Sequence, residues 1–446
     1  MKRAVKILFI LTLLLSACGG DNTADGIFFS DAMLLVETIE DTHPIFLMDG
    51  MLPDDYDERR QAFLNEAAQD MTVEEFELAI QRYLTVLRDW HMMRRHFSGG
   101  FLSSQWFYRD GNILSSVIAN NEHIYAEVVE VGGVPIEEIL AVVDRHYYFE
   151  NEIGRQLVYP VMSANMLILD MAGAEMIFVD HLGWRMLVSM RNPNSGEIST
   201  ILYAPTRFSE TELLRMRTAD YVVRHEMMGE VFYIDLRRFE PDAADEINAT
   251  VEAIENAVES GIRQFIVDLR DNPGGISGVG TRLLNAMNIK HPNFGRQLRF
   301  TYLNIASAAR NIGRDETADE LMANRNDFDN IGNSLMQSNP SMETSNPNDI
   351  FISVLVNANT ASAATMFATW IQDGNLGNVI GRPGANSPTM FAGMRDFSLP
   401  VSGIDWQISD SYFTRPDENA DQRVLWPDIL IGEDEDALEI ALTGFR

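Results

Sequence analysis

Two short runs place chemistry-bearing residues where a strand hands over to a helix. The first is DLRDNPGG, residues 268–275, directly after an apolar run of buried-strand type. Paired glycines before a helix start put free backbone N–H groups at a helix amino terminus. Such groups stabilise an anion, either a bound phosphate or the oxyanion of an acyl-transfer intermediate. The competing description is a tight turn in which glycine is sterically required. The second run is NANTASAA, residues 357–364. A serine at such a junction is a helix N-cap, or a nucleophile whose own and neighbouring amides face the attacked carbonyl oxygen. Ser362 alone fits both descriptions, and a lone Gly-Gly pair is weak evidence.

Other chemistries are excluded by counting. The 446 residues hold a single cysteine, Cys18, which rules out an internal disulfide, a thiolate zinc site and a thiol peptidase. His123, His146, His181, His225 and His291 form no HExxH or similar cluster, so no metal or cofactor is implied and each reads as structural or surface. His96 follows His91 by five positions, an awkward spacing for two ligands on one helix face. His43 precedes Pro44 and so reads as a helix end. The 34 Lys and Arg against 66 Asp and Glu give a net charge of −32, and no basic stripe appears. Such a field repels phosphates and excludes nucleic acid as a partner.

The elements that must position these residues follow from composition and period. At roughly 150 residues per domain the length suggests about three units, and 46 % hydrophobic residues suffice for a large core. Lys2, Arg3 and Lys6 precede a short apolar stretch, 7–15, too short to span a bilayer and of secretory-signal type. It ends in LSACG, residues 15–19, which resembles the lipobox of bacterial lipoproteins. In that family the leader is cut before the cysteine, whose sulfur and new amino group are acylated. Loss of residues 1–17, with three basic residues and no acidic one, takes the net charge to −35. Acyl chains rather than surface charge would then hold the protein at an extracytoplasmic membrane face, the cell membrane or the outer membrane of a bacterium.

Residues 18–29 form a tether, and 30–100 a helical unit with helices expected over 30–41, 55–68 and from the Thr72–Glu75 capping box onward. Residues 101–230 form a mixed strand and helix region with strand-like runs at 124–131, 175–180 and 197–203 and one or two helices. From 231 to 435, strands at 231–236, 262–269 and 351–357 alternate with helices at 242–260 and 361–372. The polar insertion 304–349 ends in an Asn- and Ser-rich stretch, 333–348, expected as loop and as a mobile cover.

Taken together, the two runs resemble those of the C-terminal processing (tail-specific) serine peptidases, a family that includes the tricorn core. There a strand ending in DLRxNxGG is followed by one ending in N-x-x-SAS. The resemblance continues through NVIGRP (378–383), the aromatic hairpin 397–413 and WPDILI (426–431), and reaches back to THP (42–44) and LRDWH (87–91). VEVGGVPIEEIL, 129–140, resembles the family's middle region, which often holds a PDZ-like peptide-binding module. The resemblance implies an α/β fold, with a crotonase- or Clp-protease-like β-β-α core behind the helical unit and the mixed region. It also implies Ser362 as nucleophile, with oxyanion donors from the backbone of Gly274 or Gly275 and of Ala363.

The base departs from the pattern. Where tail-specific members carry a lysine this chain has Asn386 and Ser387, and RPGANSPTM (382–390) contains no lysine. A neutral amide or hydroxyl does not take a proton as a desolvated lysine does. The tricorn branch uses a histidine from the amino-terminal part of its catalytic region, and His91 stands at that place, with Asp89 either orienting it or capping the preceding turn. Trp90 and Met92 replace the family's small residues. The expectation is a lipid-anchored serine peptidase acting on polypeptides. The alternative is a catalytically silent relative that binds peptides or a cell-envelope partner.

Overall fold

The computed structural model describes residues 26–93, 100–102, 106–119, 122–206, 220–311, 314–324, 334–432 and 434–444. Cys18, the leader, most of the tether and His96 lie outside them.

Three helices build the amino-terminal unit: α1 Phe29–Thr42, α2 Tyr56–Ala67 and α3 Val73–Leu84. The capping box closes in both directions, with Glu75 N donating to Thr72 Oγ1 (3.2 Å) and Thr72 N to Glu75 Oε2 (2.7 Å). Phe76, Ile80, Tyr83 and Leu84 are buried along one stripe of α3, as helical spacing predicts. α1 stops at His43, which is extended at φ −70, ψ 129 as the residue before a proline prefers.

The middle region begins with the antiparallel strands β1 Trp106–Arg109, β2 Asn112–Ala119 and β3 Glu122–Val131. Gly132 and Gly133 turn the chain into α4 Ile136–His146, followed by α5 Glu152–Met162 and α6 Met166–Met171. Among the described residues that is one helix more than expected, for two reasons. Pro160 inside α5 reads as a breaker in sequence, and six residues of α6 are too few to display a period. Strands β4 Met176–Val179, β5 Gly183–Arg191 and β6 Ile198–Tyr203 complete the sheet, β5 pairing with β3, β4 and β6.

In chain order the remainder contributes β7 Val223–Met228, β8 Val231–Leu236, α7 Ala244–Glu259, β9 Gln264–Asp268, α8 Gly278–Ala286, β10 Gly295–Arg299, α9 Tyr302–Asn311 and α10 Asp315–Ala323. Then come β11 Leu335–Ser338, β12 Phe351–Val356, α11 Ala363–Asp373, β13 Gly377–Gly381, β14 Met390–Ser398, β15 Asp405–Thr414, β16 Ile429–Leu430 and α12 Ala437–Gly444. The principal sheet has the order β7-β8-β9-β12-β13-β16. β7 is antiparallel to β8 and every later pair is parallel.

A parallel sheet is buried on both faces, so its strands are apolar throughout. Phe265, Val267, Ile352, Val354 and Val356 point into one cluster with α7, α8 and α11. Ile266 and Leu355 point to the other side, where Ala437 and Ala441 of α12 cover them. The register pairs Asp268 with Leu355. The loops after β9 and β12 therefore leave the same sheet edge, at the strands' carboxyl ends, where ligand sites of open α/β sheets form.

A second sheet, β11-β10-β15-β14, carries the aromatic hairpin. Phe391, Phe397, Leu399, Trp406 and Ile408 share a buried cluster with Leu35, Ile39, Phe76 and Ile80, so the helical unit sits on the hairpin. The polar insertion departs from its expected form. Its 333–348 stretch contains β11, which pairs with β10, and Ser341 and Ser345 bridge to Asn293 and Lys290. Main-chain pairing to an edge asks nothing of side-chain polarity, which is why an Asn- and Ser-rich run reads as loop and folds as strand. Among the described residues, no helix is long and apolar enough to cross a membrane.

Candidate active site

Ser362 is the cap residue of α11, at φ 54 and ψ −122. An L-residue in that region is strained by about 1–3 kcal/mol and persists only where its surroundings determine it. A sharp, strained turn from strand to helix is also the backbone form on which a nucleophilic serine can be presented. An ordinary N-cap has an extended backbone and a side chain accepting from the first turn. Here no such side-chain bond forms.

The two loops are laced together beneath it. Ala361 N donates to Asn272 O (3.0 Å), Thr360 Oγ1 to Leu269 O (2.8 Å) and Asp271 N to Asn357 Oδ1 (3.0 Å). Gly274 lies so close that a Cβ there would stand 2.6 Å from both Ala361 O and Ser362 Cβ, and its φ of +96 is one that glycine alone takes without strain. Gly275, at φ +133, is pressed against Phe239 O in the same way. The sequence requirement for both glycines is thus close backbone approach.

Of the three candidate oxyanion donors, Gly274 N–H is already engaged, donating to Asn272 Oδ1 at 2.8 Å. Gly275 N–H has no acceptor among the described residues. Ala363 N–H opens α11, where an amide lacks an intrahelical acceptor. Asp268 and Arg270 stiffen the turn: Arg270 Nη2 meets Asp268 Oδ2 at 2.6 Å, and Tyr233 Oη donates to the same oxygen at 3.0 Å. The hydrogen bond to Asp268 holds the Arg270 guanidinium charged beyond its usual range.

His91 lies in the short turn Trp90–Met92, packed against the hairpin, where Trp406 Nε1 donates to Met92 O at 3.1 Å. Asp89 caps that turn, Oδ1 accepting from His91 N at 2.8 Å. Its Oδ2 takes a second bond from His43 Nε2 at 3.1 Å. Ile45 N donates to His43 Nδ1 (3.3 Å), so the proton of that imidazole sits on Nε2 and points at Asp89. Burial alone would raise the Asp89 carboxyl; the hydrogen bond from His43, with further pull from His43 and His91, holds it below the ordinary carboxylate range. His43, read from sequence as a helix end, is that and also a buried partner of Asp89.

Two participants have no motif to announce them. Ser362 N donates to Asn386 Oδ1 at 2.5 Å, and Asn386 Nδ2 donates to Glu150 Oε2 at 2.6 Å. The residue next to the position of the family's missing lysine is therefore in contact with Ser362. Glu150 comes from the connection between α4 and α5, in the middle region, and nothing in its sequence neighbourhood signals the contact. Tyr148 lies in the fields of both Glu150 and Asp89; burial first, then these carboxylates, push its hydroxyl up. Three other described histidines have partners elsewhere: His146 binds Arg82, His225 meets Thr250 and His291 stacks on Trp370. Among the described residues, no three His, Cys, Asp or Glu side chains gather as a metal would require.

Comparison with known proteins finds similarity in the core and in the fold. Residues 230–429 match the model of peptidase family S41. A probable CtpA-like serine protease of Staphylococcus aureus is 21 % identical over 192 residues, which are 43 % of this chain and 32 % of that protein. This chain thus spans about a third of the length of the curated relatives it matches. Among solved structures, mature CPAF complexed with lactacystin superposes with a TM-score of 0.58 at 14 % identity, covering 94 % of this chain and 95 % of that one. Mature CPAF alone gives 0.54 at 14 % identity, over 94 % of each chain. With residues 230–429 matched and the strand, turn and helix order retained, the core of this chain is similar to peptidase family S41, and its fold is similar to that of CPAF.

Proposed function

We propose that the protein is a serine peptidase that hydrolyses polypeptides through an acyl-enzyme on Ser362, with His91 as general base. The observation that carries this is the backbone of Ser362, held at φ 54 where an N-cap has no reason to be strained. In the reaction Ser362 Oγ attacks the scissile carbonyl as its proton passes to His91. Gly275 N–H and Ala363 N–H bind the oxyanion, and the imidazolium returns the proton to the leaving amine. Water then repeats the sequence and frees the serine. An unperturbed imidazole titrates near pH 6.5, which suits a base working close to neutrality. Asp89, fixed by His43 and by the turn it caps, holds the backbone from which the ring projects.

The same reading puts the protein at the extracytoplasmic face of a bacterial membrane, anchored by acyl chains on Cys18. The alternative, a silent relative that binds peptides, is favoured by one observation: the 382–390 segment lacks the family's lysine. Hydrolysis of an unstructured polypeptide separates the two. Ser362→Ala and His91→Ala should each remove nearly all activity, and the double variant should lose little more, because members of one catalytic unit are not additive. Wild type no faster than Ser362→Ala from the same preparation, yet binding the peptide equally well, selects the silent relative.

A further inference from the structure

Glu150 is a carboxylate with 6 % exposure on a connection between two helices, and the chemistry above has no use for it. Burying a carboxylate is costly unless its oxygens are occupied. Oε2 accepts from Asn386 Nδ2 and from Ser387 N, both at 2.6 Å. The Glu150 backbone oxygen accepts from Arg423 Nη2 at 2.6 Å and Nε at 3.1 Å. Asn151 continues the fastening. Its Nδ2 donates to Gly384 O (3.1 Å) and Arg423 O (3.0 Å), while its Oδ1 caps α5 by accepting from Gly154 N (3.1 Å). The connection between α4 and α5 thus grips the 384–387 loop along its length.

The far end of that grip is Ser362. Asn386 is fully buried, and the orientation of its amide follows from its partners. A backbone N–H only donates, so Oδ1 must face Ser362; a carboxylate accepts, so Nδ2 must face Glu150. Ser362 N–H is thereby withdrawn from the oxyanion site, which leaves Gly275 and Ala363 as donors there. It is also held in the one direction that a residue at φ 54 and ψ −122 presents.

We propose that Glu150 and Asn386 are positioning residues for Ser362: Glu150 fixes the Asn386 amide, and Asn386 fixes the nucleophile's backbone. The middle region thereby assembles the site it adjoins, because the turn at Ser362 is held only when the connection between α4 and α5 is docked. This rests on the reading of Ser362 as nucleophile.

The test uses the full chain and two readouts: the rate at which a fluorophosphonate labels Ser362, per folded molecule, and hydrogen exchange at the Ser362 amide. Asn386→Asp sets a carboxylate against Glu150 and should slow labelling at least 100-fold and deprotect the amide. Asn386→Ser, too short to reach both partners and adding no charge, should act in the same direction. Glu150→Gln keeps an acceptor and should cost less than tenfold. Combining Glu150→Gln with Asn386→Asp restores a donor facing an acceptor, and labelling should return to within tenfold of wild type. A side chain that only fills space gives no such rescue. Asn386→Asp and Asn386→Ser that both label at the wild-type rate with a protected Ser362 amide overturn the proposal. Wild type that fails to label overturns the nucleophile reading instead. Exchange at the Ser362 amide then decides alone: loss in Asn386→Ser and return in the double variant support the positioning role, and an unchanged amide ends it.

Discussion

Ser362 carries the cost of its own geometry, and that cost is measurable. Its positive φ is tolerated because Asn386 holds the amide and Gly274 leaves room for the side chain. Replacing Ser362 by glycine removes the hydroxyl and the strain together. Strain of about 1–3 kcal/mol is relieved, while glycine's greater freedom in the unfolded chain gives back up to about 1 kcal/mol. Ser362→Gly is therefore expected to be inactive and more stable by roughly 1 kcal/mol, read as a higher denaturation midpoint at unchanged slope. A lower midpoint would show that the turn is not strained. At this scale the sequence was legible where residue type and backbone demand coincide: two glycines and a serine at strand–helix junctions. Asn386 and Glu150 were not legible. Asn386 was visible only as the residue beside an absent lysine, and Glu150 reaches it from 236 positions away along the chain.

Among the elements, α3 and α4 meet through a histidine that titrates. His146 ends α4; its Nδ1 lies 2.8 Å from Val142 O, and Arg82 of α3 approaches Nε2 at 3.2 Å. An arginine only donates, so Nε2 must accept and the ring is neutral. Burial, partly offset by the bond to Val142 O, lowers its pKa from 6.5 to about 4. The unfolded chain then binds a proton between pH 6.5 and about 4 that the folded chain refuses, so stability falls as pH falls through that window. The shift corresponds to at most about 3 kcal/mol. His146→Gln keeps a donor and an acceptor without titrating. It should remove that part of the slope when urea midpoints are compared with wild type from pH 7 to 4. Parallel curves for the two proteins would contradict the assignment. Helices with a long apolar period, such as α3 and α7, could be read from sequence because packing and local pattern agree there. The strand β11 could not, since its place is set by the edge of β10 and by bridges from Lys290 and Asn293. The third helix of the middle region was hidden by its brevity and by Pro160 in its neighbour.

The whole molecule joins a largely parallel-sheet core, a helical unit and a middle region, and the middle region reaches Ser362 through Glu150 and Asn386. The helical unit brings the His91 turn onto the aromatic hairpin, and the middle region brings Glu150 onto the loop that leads into it. That convergence explains why the fold class could be read from alternating strand and helix patterns while the assembly of the site could not: contacts between distant units leave no local period. Anchoring is a prediction at this scale too. With a net charge of −32 the protein has no electrostatic affinity for anionic headgroups, so Cys18→Ser should leave it soluble or unprocessed, with acylation found by mass spectrometry on wild type alone. An unmodified Cys18 at the amino terminus of the wild-type mature protein would refute it. The central claim is that Ser362 is an activated nucleophile, and the most direct measurement is fluorophosphonate labelling of the purified protein followed by peptide mapping. The account predicts one phosphonylated residue, Ser362, with a labelling rate that rises with pH through the titration of a histidine and falls at least 100-fold in His91→Ala. A folded wild-type protein that takes up no label, or carries it on another serine, would contradict the account.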